Sequence, residues 1–223
     1  MNIWYKIGDS IDLIKEVKDE SVDFILTDPP YGIGEKTGKE MVGDKNFDIL
    51  VKILPDLYRV LRNNHSMMIF VGIGVLDKMF EIITKVFHYR WQFIWYQTNN
   101  MKRADMGYCK YCTALWFEKG RAKRVKPIQD LRKEPIPGKR IETIGHVTPK
   151  SVNICKYLIE GLTKEGELVF DPFLGSGTTL LAARLSRRRA FGFEIEPKFE
   201  PIIQKKCMLD TPEIDSFKMQ KTL

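Results

Sequence analysis

Short runs of β-branched and aromatic residues alternate along this chain with stretches whose apolar positions recur three and four residues apart. Ile3–Ile7 runs into Gly8-Asp9, 22–26 into Asp28-Pro29-Pro30, Met67–Val71 into Gly72, and 91–96 into Gln97-Thr98-Asn99-Asn100. Later, 168–170 meets Asp171-Pro172 and 190–193 meets Glu194, while 108–117 reads as one further alternating strand. Between these runs, 10–18, 49–61, 75–86, 151–161 and 178–185 carry helical spacing. Strands alternating with helices predict an α/β fold with a largely parallel sheet, whose functional loops gather at the carboxyl ends of the strands. Thr148-Pro149 has the form of a capping hydroxyl followed by a proline at the first helical position.

Composition narrows this to one soluble domain spanning 1–223. A chain of 223 residues with 43% hydrophobic and 29% charged side chains buries enough surface to fold without staples. The longest apolar run, 67–76, is about half of the ~20 residues a membrane-spanning helix needs. Four cysteines are too few for a secreted disulfide framework, so a cytoplasmic protein with no membrane partner is expected. Neither internal repeats nor low-complexity segments are visible.

The formal charge of +7 is unevenly placed: residues 1–96 carry −2, 97–146 carry +7 and 147–223 carry +2. The middle stretch holds Lys119, Arg121, Lys123, Arg124 and Lys126 in close succession, followed by Pro127, Pro135, Pro137 and Gly138. It reads as a basic, loop-rich insertion in the sheet.

Two strand-end segments carry chemistry. In Thr27-Asp28-Pro29-Pro30-Tyr31, consecutive prolines stiffen the turn and lack N–H groups. A carboxylate, a fixed carbonyl and an aromatic face together suit a flat ring bearing an NH₂ group: Asp28 and the Pro29 carbonyl each accept one hydrogen, and Tyr31 stacks on the ring. In Asp171-Pro172-Phe173-Leu174-Gly175-Ser176-Gly177-Thr178-Thr179, the two glycines let backbone pass close to a ligand at a helix start. Glu194 follows Gly177 by 17 residues, near the offset at which an acid reaches ribose hydroxyls. The third glycine of a dinucleotide fingerprint and the Gly-Lys-Ser/Thr of a phosphate loop are both missing, which argues against NAD and ATP. S-adenosylmethionine, with adenosine but no phosphates, fits better.

Together these motifs resemble the permuted, β-class amino-methyltransferases of DNA, in which Asp-Pro-Pro-Tyr precedes Phe-x-Gly-x-Gly. The resemblance covers nearly the whole chain: Gly8-Asp9, 58–61 with 67–72, 94–99, 115–120, His146-Val147-Thr148-Pro149-Lys150 and 192–197 all have counterparts in the family's order. Val147 and Ser151 stand where proline is usual and Gln97 where lysine is common. The resemblance implies a Rossmann-like methyltransferase fold with a mostly parallel seven-stranded sheet in circularly permuted order. It implies S-adenosyl-L-methionine as cofactor, held by Asp9, Asp28, Lys150, Asp171, Pro172, Phe173, Gly175, Ser176, Gly177, Thr178 and Glu194. Catalysis is expected at Asp28, Pro29, Pro30 and Tyr31.

The same resemblance places target recognition at 121–145, inside the basic segment. Double-stranded DNA is the expected partner, with Lys36, Lys39, Lys119, Arg121, Lys123, Arg124 and Lys126 as contacts, because phosphate neutralisation dominates DNA affinity. A homodimer and a cognate restriction endonuclease are expectations of the resemblance alone. Adenine N6 is the expected acceptor, since family members acting on cytosine N4 more often carry serine at the position of Asp28. Cytosine N4, RNA, and a catalytically silent nucleic-acid-binding module are the competing readings. No metal is expected: Cys109-Lys110-Tyr111-Cys112 has no second pair, and the three histidines have no ligand spacing.

Overall fold

A computed structural model describes residues 2–30, 47–104, 107–137 and 150–207. Its strands are β1 (Ile3–Ile7), β2 (Val22–Thr27), β3 (Leu61–Val71), β4 (His88–Gln97), β5 (Arg103–Ala104), β6 (Gly107–Tyr108), β7 (Tyr111–Lys119), β8 (Leu131–Glu134), β9 (Leu168–Asp171) and β10 (Arg189–Glu194). Its α-helices are α1 (Ser10–Leu13), α2 (Asp48–Val60), α3 (Leu76–Thr84), α4 (Val152–Leu162), α5 (Thr178–Leu185) and α6 (Glu200–Cys207).

Eight strands form the main sheet in the order β1-β10-β9-β2-β3-β7-β4-β8. The pairs from β1 to β3 are parallel, β7 is antiparallel to both its neighbours, and β8 runs parallel to β4. The sheet therefore has one strand more than expected. Leu131-Arg132-Lys133-Glu134 has a single apolar residue and no alternation to betray it, and an outer-edge strand needs none.

Alternation along the central strands divides the core in two. Phe24, Leu26, Met68 and Phe70 pack on one face with Ile154, Leu158 and Ile159 of α4, Leu180 and Ala183 of α5, and Ile203 of α6. Ile25, Met67, Ile69 and Val71 pack on the other with Leu13 of α1, Leu50, Ile53 and Leu57 of α2, and Met79 and Ile83 of α3. Period-two alternation in a sheet covered on both sides requires these two apolar sets. After β9 the chain crosses through α5 to β10; after β2 it crosses to β3 on the opposite side. The adjacent carboxyl ends of β9 and β2 thus form the switch point at which open α/β sheets bind ligands.

The helix-start expectation is corrected in one place. The N-cap of α4 is Ser151, whose hydroxyl accepts from the Ile154 N–H at 3.3 Å; Thr148 and Pro149 lie outside the described residues. The strand expected over 108–117 is divided between β6 and β7, leaving Cys109 and Lys110 between them.

Candidate active site

At the switch point Thr27 Oγ1 donates to Asp171 Oδ1 at 2.8 Å, closing a contact between residues 144 positions apart. The Phe173 N–H donates to the same oxygen at 3.0 Å, fixing the turn that follows β9. Burial pushes the Asp171 carboxyl up to about 6, against the opposing hydrogen bonds from Thr179, Thr27 and Phe173.

The glycines have separate roles. Gly175 and Gly177 sit at φ +51° and +76°, the left-handed region that side chains disfavour. Gly192, in β10, faces the Asp171 carbonyl so closely that a Cβ there would lie 2.3 Å from its oxygen and 2.5 Å from Leu174 Cδ2. The backbone hugs the strand end beside the glycine turn that opens α5, the candidate cradle. Glu194 closes its far side: Oε2 accepts from Gly175 N–H at 2.7 Å and Oε1 from Glu196 N–H at 2.8 Å. Burial also raises the Glu194 carboxyl. Each oxygen retains a second lone pair for a hydroxyl donor. Gly8 N–H donates to the Glu194 carbonyl at 2.8 Å, bringing exposed Asp9 to the same rim, where its Oδ1 caps α1 through Ile11 N–H at 2.8 Å.

Ser176 and Thr178 are placed differently. Their hydroxyls accept from Lys206 Nζ at 3.0 and 2.8 Å, tying the glycine turn to α6.

Asp28 projects from the end of β2, half-buried, and pairs with Lys150 Nζ. The ammonium also lies over the Phe70 ring, 5.1 Å from its centroid. Burial lowers the Lys150 ammonium, but the adjoining Asp28 carboxylate outweighs this and holds it above its usual range. The Cys112 and Cys155 thiols border this pair, and burial raises both. Asp28, Pro29, Lys150, Asp171, Gly175 and Glu194 thus share one sheet edge. Tyr31, Lys36 and Lys39 lie outside the described residues.

Those of the expected basic contacts that are described, Lys119, Arg121, Lys123, Arg124 and Lys126, are not brought to this edge. Lys119 is buried and donates to the Tyr58 and Leu61 carbonyls at 3.0 and 2.8 Å, with Glu20 3.1 Å away. It is a structural residue, which corrects its assignment to DNA. In the register of β7, Thr113 pairs with Val71 at the catalytic edge and Lys119 with His65 at the opposite one. That separation is roughly 20 Å at the rise of a strand. Arg121 follows directly, its N–H on Asn64 Oδ1 at 3.0 Å, and Lys126 pairs with Glu160 at 3.0 Å near the carboxyl end of α4. Arg121, Lys123, Arg124 and Lys126 are exposed, but on the far edge. There the fold also gathers Asp23, His65 and Glu167, whose ligand atoms lie within 4.8 Å of one another. Asp23 is engaged by Arg62 at 2.5 Å and by the Leu168 N–H at 2.8 Å.

A doubly covered parallel sheet, an antiparallel β7 and a strand-end acid beside a glycine cradle define a Rossmann-like methyltransferase. Comparison of the sequence gives the family: residues 22–205 match the DNA methylase family N6_N4_Mtase, and the chain belongs to it. It is 34% identical to the protein YubD of Escherichia coli K12 across 84% of this chain and 82% of that one. It is 25% identical to the DNA adenine methyltransferase YhdJ of the same organism, across 86% and 78%. Among solved structures it is similar to M1.HpyAVI in complex with SAM, with TM-score 0.75, 27% identity, and coverage of 93% of this chain and all of that one. The PvuII cytosine-N4-specific DNA methyltransferase shares the fold, with TM-score 0.78 at 19% identity, over all of this chain and 91% of that one.

Proposed function

We propose that this DNA methyltransferase transfers the sulfonium methyl of S-adenosylmethionine to the exocyclic N6 of an adenine flipped out of duplex DNA. The observation that carries the reading is the juxtaposition, across the Thr27–Asp171 hydrogen bond, of the Asp28-Pro29-Pro30 turn with the cradle of Gly175, Gly177 and Glu194. The cradle fits the cofactor: Glu194 has lone pairs for ribose hydroxyls, and the glycines admit a close approach. S-adenosylmethionine supplies an electrophilic methyl group on a positively charged sulfur.

The remaining chemistry belongs to the chain. An amine conjugated to a purine is a poor nucleophile because its lone pair is delocalised into the ring. Asp28 and the Pro29 carbonyl, accepting one amino hydrogen each, favour a pyramidal nitrogen whose lone pair points at the methyl. A carboxylate offers about four acceptor positions, so it accommodates both the amine and Lys150. Lys150 pairs with Asp28 and orients it. Once the methyl is on nitrogen, the cationic amine is a strong acid and releases its extra proton toward Asp28. Tyr31 stacks on the extruded base, which is out of reach inside the helix. Alignment of nitrogen, methyl and sulfur supplies most of the acceleration.

Adenine is favoured over cytosine by Asp28 at the first motif position and by the likeness to YhdJ, a DNA adenine methyltransferase. Mass spectrometry of nucleosides from DNA treated with protein and cofactor is expected to give N6-methyladenine; N4-methylcytosine alone would replace the acceptor. Asp28→Ala is expected to reduce transfer at least a thousandfold while cofactor affinity changes less than threefold. Retained activity in a radiolabelled methyl assay would remove Asp28 from the mechanism.

A further inference from the structure

Among the described residues of the expected recognition segment, 121–145, the basic run at 121–126 is on the far edge and 131–134 is built into the sheet. What the fold raises at the catalytic edge is the hairpin between β4 and β7. Val71, Gln97 and Tyr111 end or begin their strands on the same side as Thr27, with Thr113 paired to Val71 and Tyr111 to Tyr96. Cys112, one residue into β7, feels the charges of both Lys150 and Asp28.

The hairpin is a built element. Asn100 Nδ2 donates to Gln97 Oε1 at 2.6 Å, Lys110 Nζ to the Asn100 carbonyl at 2.6 Å, and Cys109 N–H to the Lys102 carbonyl at 2.9 Å. Asn99 clamps its base to the returning chain, donating to the Ile136 carbonyl at 3.1 Å and accepting from the Ile136 N–H at 2.7 Å. Beyond this base the two-stranded β5–β6 ribbon pairs Arg103 with Tyr108.

Its surface is unusual for an ordinary loop. Met101 is 63% exposed and Tyr108 56%, and Lys102 and Arg103 are exposed beside them. By sequence, the stretch holds Lys102, Arg103 and Lys110 and a single acidic residue, Asp105. Large apolar and aromatic groups held in water next to cations suit a polyanion with exposed ring faces. The major groove of B-DNA admits a two-stranded β-ribbon.

We propose that the hairpin between β4 and β7, in its described residues 97–104 and 107–111, is the duplex-contacting and sequence-reading element of this enzyme. Arg103 reaches a base edge in the major groove, Lys102 neutralises phosphate, and Tyr108 packs against the bases flanking the extruded one. The proposal rests on the DNA reading of the active site.

Fluorescence anisotropy with a methylatable duplex, titrated at several salt concentrations, tests it. Lys102→Ala/Arg103→Ala is expected to weaken binding roughly tenfold at ~0.1 M salt and to lower the salt slope by about 1, through the phosphate contact of Lys102. Tyr108→Ala is expected to weaken binding roughly fivefold with the slope unchanged, and Arg103→Ala to broaden the set of methylated sites found by sequencing. Arg121→Ala/Lys123→Ala/Arg124→Ala, on the far edge, is expected to leave affinity and slope within twofold of the wild type. All these side chains are exposed, and unchanged S-adenosylmethionine affinity by calorimetry verifies folding. If the wild type methylates DNA but the hairpin variants bind like it, or the far-edge variant loses the slope instead, the hairpin assignment falls alone. If the wild type neither binds nor methylates DNA, the hairpin assignment falls together with the DNA reading.

Discussion

Asp171 sits where burial and hydrogen bonding oppose each other. Its folded value of about 6 lies above the ordinary 3.8, with burial as the largest cause. As pH rises from about 4 to 6 the unfolded chain ionises first, so the native state loses stability through that window and keeps the deficit above it. Two pH units correspond to up to about 3 kcal/mol. Asp171→Asn retains an oxygen acceptor for Thr27 and the Phe173 N–H but has no charge to desolvate. Relative to the wild type, it should gain stability as pH rises through 6 and show no advantage near pH 4. Thermal denaturation of both proteins from pH 4 to 8 measures this, and a difference independent of pH would contradict it. At Gly192 the constraint is steric. A Cβ pressed to 2.3 Å from backbone oxygen cannot be relieved by a side-chain rotation. Gly192→Ala should cost roughly 2 to 3 kcal/mol in chemical denaturation and weaken cofactor binding.

The elements themselves were largely legible, because a sheet covered on both faces demands the alternation seen at Phe24-Ile25-Leu26 and at Met67 to Val71. What stayed hidden was decided by tertiary contacts. β3 begins at Leu61, masked by polar Arg62 to His65, and β8 has only Leu131 to suggest it. The motifs at Asp28, Asp171, Gly175 and Glu194 were readable because backbone conformation and acceptor chemistry restrict the residue types there. The direction of a lysine is not so restricted. Lys119 belongs to a basic run by sequence, yet it turns inward onto two carbonyls; Arg188 does the same, donating to Thr163 Oγ1 at 3.0 Å and to the Thr163 carbonyl. Ser151 shows the cost of misreading a cap: its hydroxyl both caps α4 and contacts Glu134 at the end of β8. Ser151→Ala should lose about 1 to 2 kcal/mol. It should also raise amide exchange in 131–134 while β2 and β9 stay protected; equal exchange throughout would show that β8 does not depend on this contact.

For the molecule as a whole, the order of motifs along the chain and their order in space are separate matters. Asp28 comes early and the glycine cradle late, yet β2 and β9 are neighbours and Thr27 is bonded to Asp171. The sheet edge is consequently assembled from both ends of the sequence, with Gly8 bonded to Glu194 and Lys206 to Thr178. A cofactor lying along that edge binds only the native arrangement and stabilises it by mass action, by about 2.7 kcal/mol at a hundredfold excess over its Kd. For a chain of this length that is roughly 5 to 10 °C in Tm. Because β10, β9 and β2 form one continuous parallel ladder, the shift should move a single transition monitored by both far-UV circular dichroism and tryptophan fluorescence. Glu194→Gln cannot accept from both the Gly175 and Glu196 N–H groups and still meet two hydroxyls, so its shift should fall below about 2 °C. A transition that split on adding S-adenosylmethionine, with only part of the signal moving up, would mean that the N-terminal strands are not coupled to the cradle, and the catalytic edge would have to be regarded as two independently folding halves.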